Sequence, residues 1–68
     1  MNQFNIGDKV MVKKDCIWTG HAGEVATIVD IKYEVMCNII FDGDKNHSVY
    51  GFGSALIEHY YDNFEVEL

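Results

Sequence analysis

Three groups of residues in this 68-residue chain are of types that do chemistry. Cys16 and His21 lie five residues apart and are the types needed for a thiol nucleophile and its general base. No third group at a recognisable spacing orients the imidazole, so the pair is a weak catalytic signal. Asp42-x-Asp44-x-Asn46 sets oxygen donors at the first three positions of a calcium loop. His47 then stands where that loop needs a glycine, and Gly53 where it needs a bidentate glutamate. Cys16, Cys37, His21, His47 and His59 are soft ligands, but their spacing fits none of the paired patterns that hold zinc. The expectation is a non-catalytic chain, not an enzyme, that uses no cofactor and no metal.

The aromatic residues are more telling. Trp18, Tyr33, Tyr50, Phe52, Tyr60, Tyr61 and Phe64 are more rings than so short a chain needs in its core. Trp and Tyr bury a large area at low entropic cost, which suits them to anchor an interface. Trp18 either caps an open end of the fold or faces a partner. From Glu58 to Glu67 the chain mixes aromatic and acidic residues, which suits either a solvated edge or contact with a basic protein. The candidate partner-binding residues are Trp18, Tyr60, Tyr61, Asp62, Phe64 and Glu65.

Charge narrows the partner. The net charge is −6, and residues 34–68 carry all of the excess, with seven carboxylates against Lys45 alone. The chain has five lysines and no arginine. Phosphate recognition draws on clustered Lys and Arg, so charge disfavours nucleic acid as a partner and a basic protein surface is the expected one. One local alternative remains: Lys9, Lys13, Lys14 and Lys32 lie in the neutral half and could make a nucleic-acid patch.

These residues must be positioned by short strands. Val10 and Val12 alternate with Lys9, Met11 and Lys13, the period of a strand with one inward face. A Gly20 to Gly23 turn, needing positive φ, leads into a β-branched second strand over about residues 24–32. Its alternation slips at Ile28-Val29, which predicts a bulge. The third strand spans 34–42, with Val35, Cys37, Ile39 and Phe41 inward. Asp42-Gly43 starts a hairpin connection with left-handed backbone, and a fourth strand comes next over about 47–52. A short 3-10 turn near 54–57 precedes a last strand at 58–61, and residues 62–68 are open to a sixth strand or a mobile tail. The predicted core is Val10, Val12, Val25, Val35, Ile39, Phe41 and Leu56. Cys16 and Cys37 are expected to remain unpaired thiols.

The pattern resembles a known architecture. Ile6-Gly7-Asp8-Lys9-Val10 looks like the opening of many SH3-like barrels. Gly20-x-x-Gly23-x-Val25 followed by Ile28 resembles the KOW signature. Trp18 to Asp30 followed by Ile39-Ile40-Phe41-Asp42 is similar to a family of photosystem I accessory proteins, small barrels that dock on a protein assembly. The resemblance implies an all-β, five-stranded SH3-like barrel serving as an adaptor. KOW modules are usually basic, and this chain is acidic. The Ala-Leu-Tyr-Asp-Tyr run, tryptophan pair and proline of signalling SH3 domains are missing, so proline-rich ligands are not implied.

The whole chain reads as one domain, residues 1–68, with its core at about 5–61. It has no basic, apolar leader at its start and no apolar run near the roughly 20 residues that span a bilayer. A complete, cytoplasmic small protein is expected. Its function is expected to be protein binding, as an accessory or regulatory module. Size and charge suit an inhibitor of a host protein such as phages and mobile elements carry. An accessory chain of a larger enzyme is a further alternative.

Overall fold

A computed structural model describes residues 4–61. It holds five strands: β1 (Lys9–Val12), β2 (Val25–Lys32), β3 (Met36–Phe41), β4 (Val49–Gly53) and β5 (Ile57–His59). Two 3-10 turns, Ile17–Thr19 and Ser54–Leu56, interrupt the connections. All pairings are antiparallel, and the sheet order is β4-β3-β2-β1-β5. The fold is therefore all-β and barrel-like, a single curled sheet whose edges β4 and β5 do not join.

Alternation explains the core. Val10 and Val12 of β1, Ala26 and Ile28 of β2, and Cys37, Ile39 and Phe41 of β3 are all buried, each set on one side of its strand. Phe52, Ile57 and the loop residue Cys16 complete the cluster. The predicted slip in β2 is present. Ile28 pairs with Ile39 and Asp30 with Asn38, so Val29 is an extra residue on the β2 side. A bulge shifts the inward period by one, which is why Ile31, rather than Asp30, packs against the core beyond it.

Two predicted core positions need correction, and a third lies at the core's margin. Val25 is half-buried; the inward places on β2 belong to Ala26 and Ile28. Val35 is 59% exposed. Tyr33 and Glu34 take φ of 56° and 62°, and Val35 donates to the Lys32 carbonyl across them at 3.3 Å. Two successive residues of positive φ make a tight turn of the primed type, so β3 begins one residue after Val35. Leu56, in the second 3-10 turn, is half-buried and packs against the margin of the core, while Ile57 takes the fully buried site beside it.

The turns hold one more difference. Gly20 and Gly23 do adopt positive φ, at 79° and 82°, as their loop requires. In the connection from β3 to β4, however, the left-handed residue is His47, not Gly43. The reason is Asp44, whose two carboxylate oxygens accept from the backbone amides of Asn46 at 2.9 Å and Ser48 at 3.0 Å. These bonds wrap the chain around the side chain and make His47 the residue that turns back.

Two outcomes test this packing. Phe41 is 5% exposed and meets Phe52 edge-on at 5.9 Å; Phe41→Ala should destabilise by about 3–5 kcal/mol in urea unfolding. The Tyr33-Glu34 turn holds two side chains in left-handed backbone that Asn-Gly adopts readily. The double change Tyr33→Asn, Glu34→Gly should therefore stabilise by about 1–2 kcal/mol in the same assay.

Candidate functional site

The loop from Lys13 to Glu24 is closed at its neck by two backbone bonds. Val12 donates to the Glu24 carbonyl at 3.0 Å, and Gly23 donates to the Val12 carbonyl at 2.8 Å. Inside the loop the Ile17–Thr19 turn is capped by Gly20, whose amide reaches the Ile17 carbonyl. Thr19 ties the turn to the residues on either side of it. Its hydroxyl donates to the Cys16 carbonyl at 2.8 Å and accepts from the His21 amide at 3.1 Å. Ile17 and Trp18 project from this turn, 77% and 72% exposed. Trp18 therefore does not cap the fold.

His21 takes that place. Its ring stacks on Phe41 with centroids 4.4 Å apart and meets Tyr50 edge-on at 5.2 Å. Tyr50 pairs with Ile39 and lies two residues from the buried Phe52, so the inward side of β4 runs out of the core at Tyr50. The inward side of β3 runs out at Phe41, beside it at 5.3 Å. Here the core opens to solvent, and a cleft of about 520 Å³ lies over the opening. Glu24, Val25, Asp42, Gly43, Asp44, Asn46 and Ser48 form its walls, with His21, Phe41 and Tyr50.

The walls are acidic. Glu24 bonds the His21 ring nitrogen Nδ1 at 3.1 Å. Asp42 accepts from Lys9 Nζ at 2.9 Å and from the Thr27 hydroxyl at 3.2 Å. Asp44 is held below the usual carboxylate range by the Asn46 and Ser48 amides. Sequence reasoning missed this cleft because His21, Glu24 and Tyr50 come from segments that only the fold brings together. The available signal was the Tyr50-x-Phe52 period, which continues a buried side outward.

The binding residues expected from the sequence that fall among the described residues lie on two different segments, the loop after β1 and the stretch after β5. Trp18 and Tyr61 are well exposed, and Tyr60 less so. Tyr61 stacks on His59 at 5.9 Å. Trp18 lies beyond the Val12 end of β1, whereas the Tyr60 amide bonds Lys9 at the other end. Asp62, Phe64 and Glu65 lie outside the described residues. Of the four lysines, Lys9 is engaged by Asp42, Lys13 is half-buried, and Lys14 and Lys32 are exposed.

Other candidate chemistry finds different uses for its residues. Cys16 and Cys37 are free and buried, and desolvation raises both thiols. Asp15 raises Cys16 further, the reverse of what activates a nucleophile. The would-be calcium ligands Asp42 and Asp44 are occupied by Lys9, Thr27 and backbone amides. Among the described residues no three His, Cys, Asp or Glu side chains converge as a metal site requires. No helix of the described residues is long and apolar enough to cross a membrane.

Comparison with protein-family models, curated proteins and solved structures finds no match for this chain.

The Asp44 geometry sets a pH dependence. Its folded pKa lies below the unfolded one, so its contribution to stability is fully present above about pH 4 and falls away as pH drops through the folded value. Asp44→Ala should lower Tm at neutral pH. The loss relative to wild type should shrink on acidification, as monitored by circular dichroism melts from pH 7 to pH 2.

Proposed function

We propose that the chain is a non-catalytic protein-binding module of the SH3-like kind, working in the cytoplasm on a partner with a basic surface. The observation that carries this reading is the Ile17-Trp18 pair, two large apolar side chains exposed on a hydrogen-bonded turn. Such side chains are the usual anchors of protein interfaces. The charge complements it: −6 overall, with carboxylates walling the cleft that His21 and Glu24 of the same loop line. An acidic surface speeds and orients the approach of a basic partner and repels phosphate.

Further features support the same reading. The strand order β4-β3-β2-β1-β5, with a 3-10 turn before the last strand, agrees with the SH3-like and KOW-like resemblance read from the sequence. Two unpaired, buried thiols suit a reducing compartment. The role is that of an accessory or regulatory chain, and its small size and acidity suit an inhibitor. The nucleic-acid alternative is weakened at Lys9, whose charge Asp42 offsets.

The test is a comparison of wild type and Trp18→Ala as baits, read by mass spectrometry and then with the purified partner. Truncating the anchor should weaken partner binding at least about 30-fold, roughly 2 kcal/mol. Nucleic-acid affinity should remain weaker than micromolar at physiological salt. Submicromolar DNA or RNA binding, or a partner affinity indifferent to Trp18, overturns the reading.

A further inference from the structure

We propose that the cleft over the open end of the core receives an arginine side chain from a basic protein segment. This rests on the protein-binding reading and names the group that the acidic side of the module recognises.

Negative charge dominates the lining. Three carboxylates, Glu24, Asp42 and Asp44, are present, and no lysine is among the lining residues. Lys9 reaches Asp42 from outside the lining, so one of the three negative charges is offset and the field still favours a cation. Phosphate and carboxylate ligands are disfavoured by the same field. A space of about 520 Å³ takes a long side chain readily and lies within the range of small-ligand sites.

The aromatic residues decide which cation fits. His21, Phe41 and Tyr50 pack on one another within 5.3 Å, centroid to centroid. All three also border the cleft. Tyr50 is partly exposed, so part of its ring remains available. Aromatic faces attract a cation, and a planar, weakly hydrated guanidinium stacks on them better than a compact ammonium does. Its fork of N–H donors also matches carboxylates two at a time. Asp44 is well suited to that role because the Asn46 and Ser48 amides already fix its orientation, while each oxygen keeps a second lone pair. A bare divalent ion fits less well, since the described acids do not converge on one point.

The cleft also adjoins the proposed anchor in sequence. His21 and Glu24 belong to the same closed loop as Trp18, with Glu24 at the neck and Trp18 on the turn. A basic segment lying along this loop would set an apolar contact at Trp18 and a cationic one in the cleft.

The experiment titrates isotope-labelled protein with two peptides matched in length and charge, Gly-Arg-Gly-Arg-Gly-Arg-Gly and its lysine counterpart, monitored by amide NMR shifts. The arginine peptide should bind about tenfold more tightly, with the largest shifts at Asn46, Ser48 and Tyr50. Glu24→Gln, at an exposed site that should not unfold the protein, and Tyr50→Leu should each weaken it at least threefold. Their folding is checked by the unchanged spectrum elsewhere. Equal affinity for both peptides overturns the arginine assignment, as do shifts that leave the cleft amides still. If the cleft is silent while Trp18→Ala still abolishes binding of the purified partner, this inference fails and the protein-binding reading stands. If the arginine peptide fills the cleft while Trp18→Ala leaves partner binding unchanged, the reverse holds.

Discussion

A single sheet with one apolar side has nothing else among the described residues to cover it. Among the described residues no helix longer than a 3-10 turn and no second sheet is available. A sheet in that position can bury its apolar side only by curling on itself. That constraint explains the pairing of β1 with both β2 and β5, which sets the last strand beside the first. It explains the bulge at Val29, which bends the long strand β2 where a flat strand would splay. It also explains why the core is made of ten residues drawn from all five strands and one loop. No layer can be removed without opening the rest.

Curling leaves an end to be closed, and here the site and the fold meet. The inward sides of β3 and β4 emerge at Phe41 and Tyr50, and an imidazole from the loop after β1 covers them. His21 suits the task because one side of its ring stacks on apolar carbon while a ring nitrogen bonds Glu24. Two of the three acidic wall residues, Asp42 and Asp44, come from the connection between β3 and β4, which uses Asp44 as an internal tether for its own backbone. Features that look functional therefore also have structural duties, and the cleft is the by-product of finishing a small barrel with polar parts.

Much of this architecture was legible in the sequence, for a definable reason. Strand existence, the inward sets Val10/Val12 and Cys37/Ile39/Phe41, the slip at Ile28-Val29 and the 3-10 turn all depend on local alternation and composition. What escaped depends on where a turn begins. Tyr33 and Glu34 are poor residues for left-handed backbone, so nothing local marks the turn that moves Val35 out of the core. Val25 and Ala26 differ in size in the wrong sense: the larger residue points to the half-buried side, and only pairing with β1 and β3 fixes the phase. The cleft was less legible still. His21, Phe41 and Tyr50 are far apart in sequence, and their contact is a property of the curl. Trp18 was open to two readings, capping an end of the fold or facing outward, because nothing local decides which way a loop side chain points, and it is exposed.

The loop from Lys13 to Glu24 has a consequence for recognition that is thermodynamic rather than chemical. Its neck is closed by reciprocal backbone bonds, Cys16 is sunk in the core, and Thr19 and Gly20 stitch the turn beneath Trp18. Ordering such a segment is part of folding, so little backbone entropy remains to be lost when something touches it. The indole is presented by a frame already set, and association there is spared the ordering penalty that a loose loop of equal length would impose.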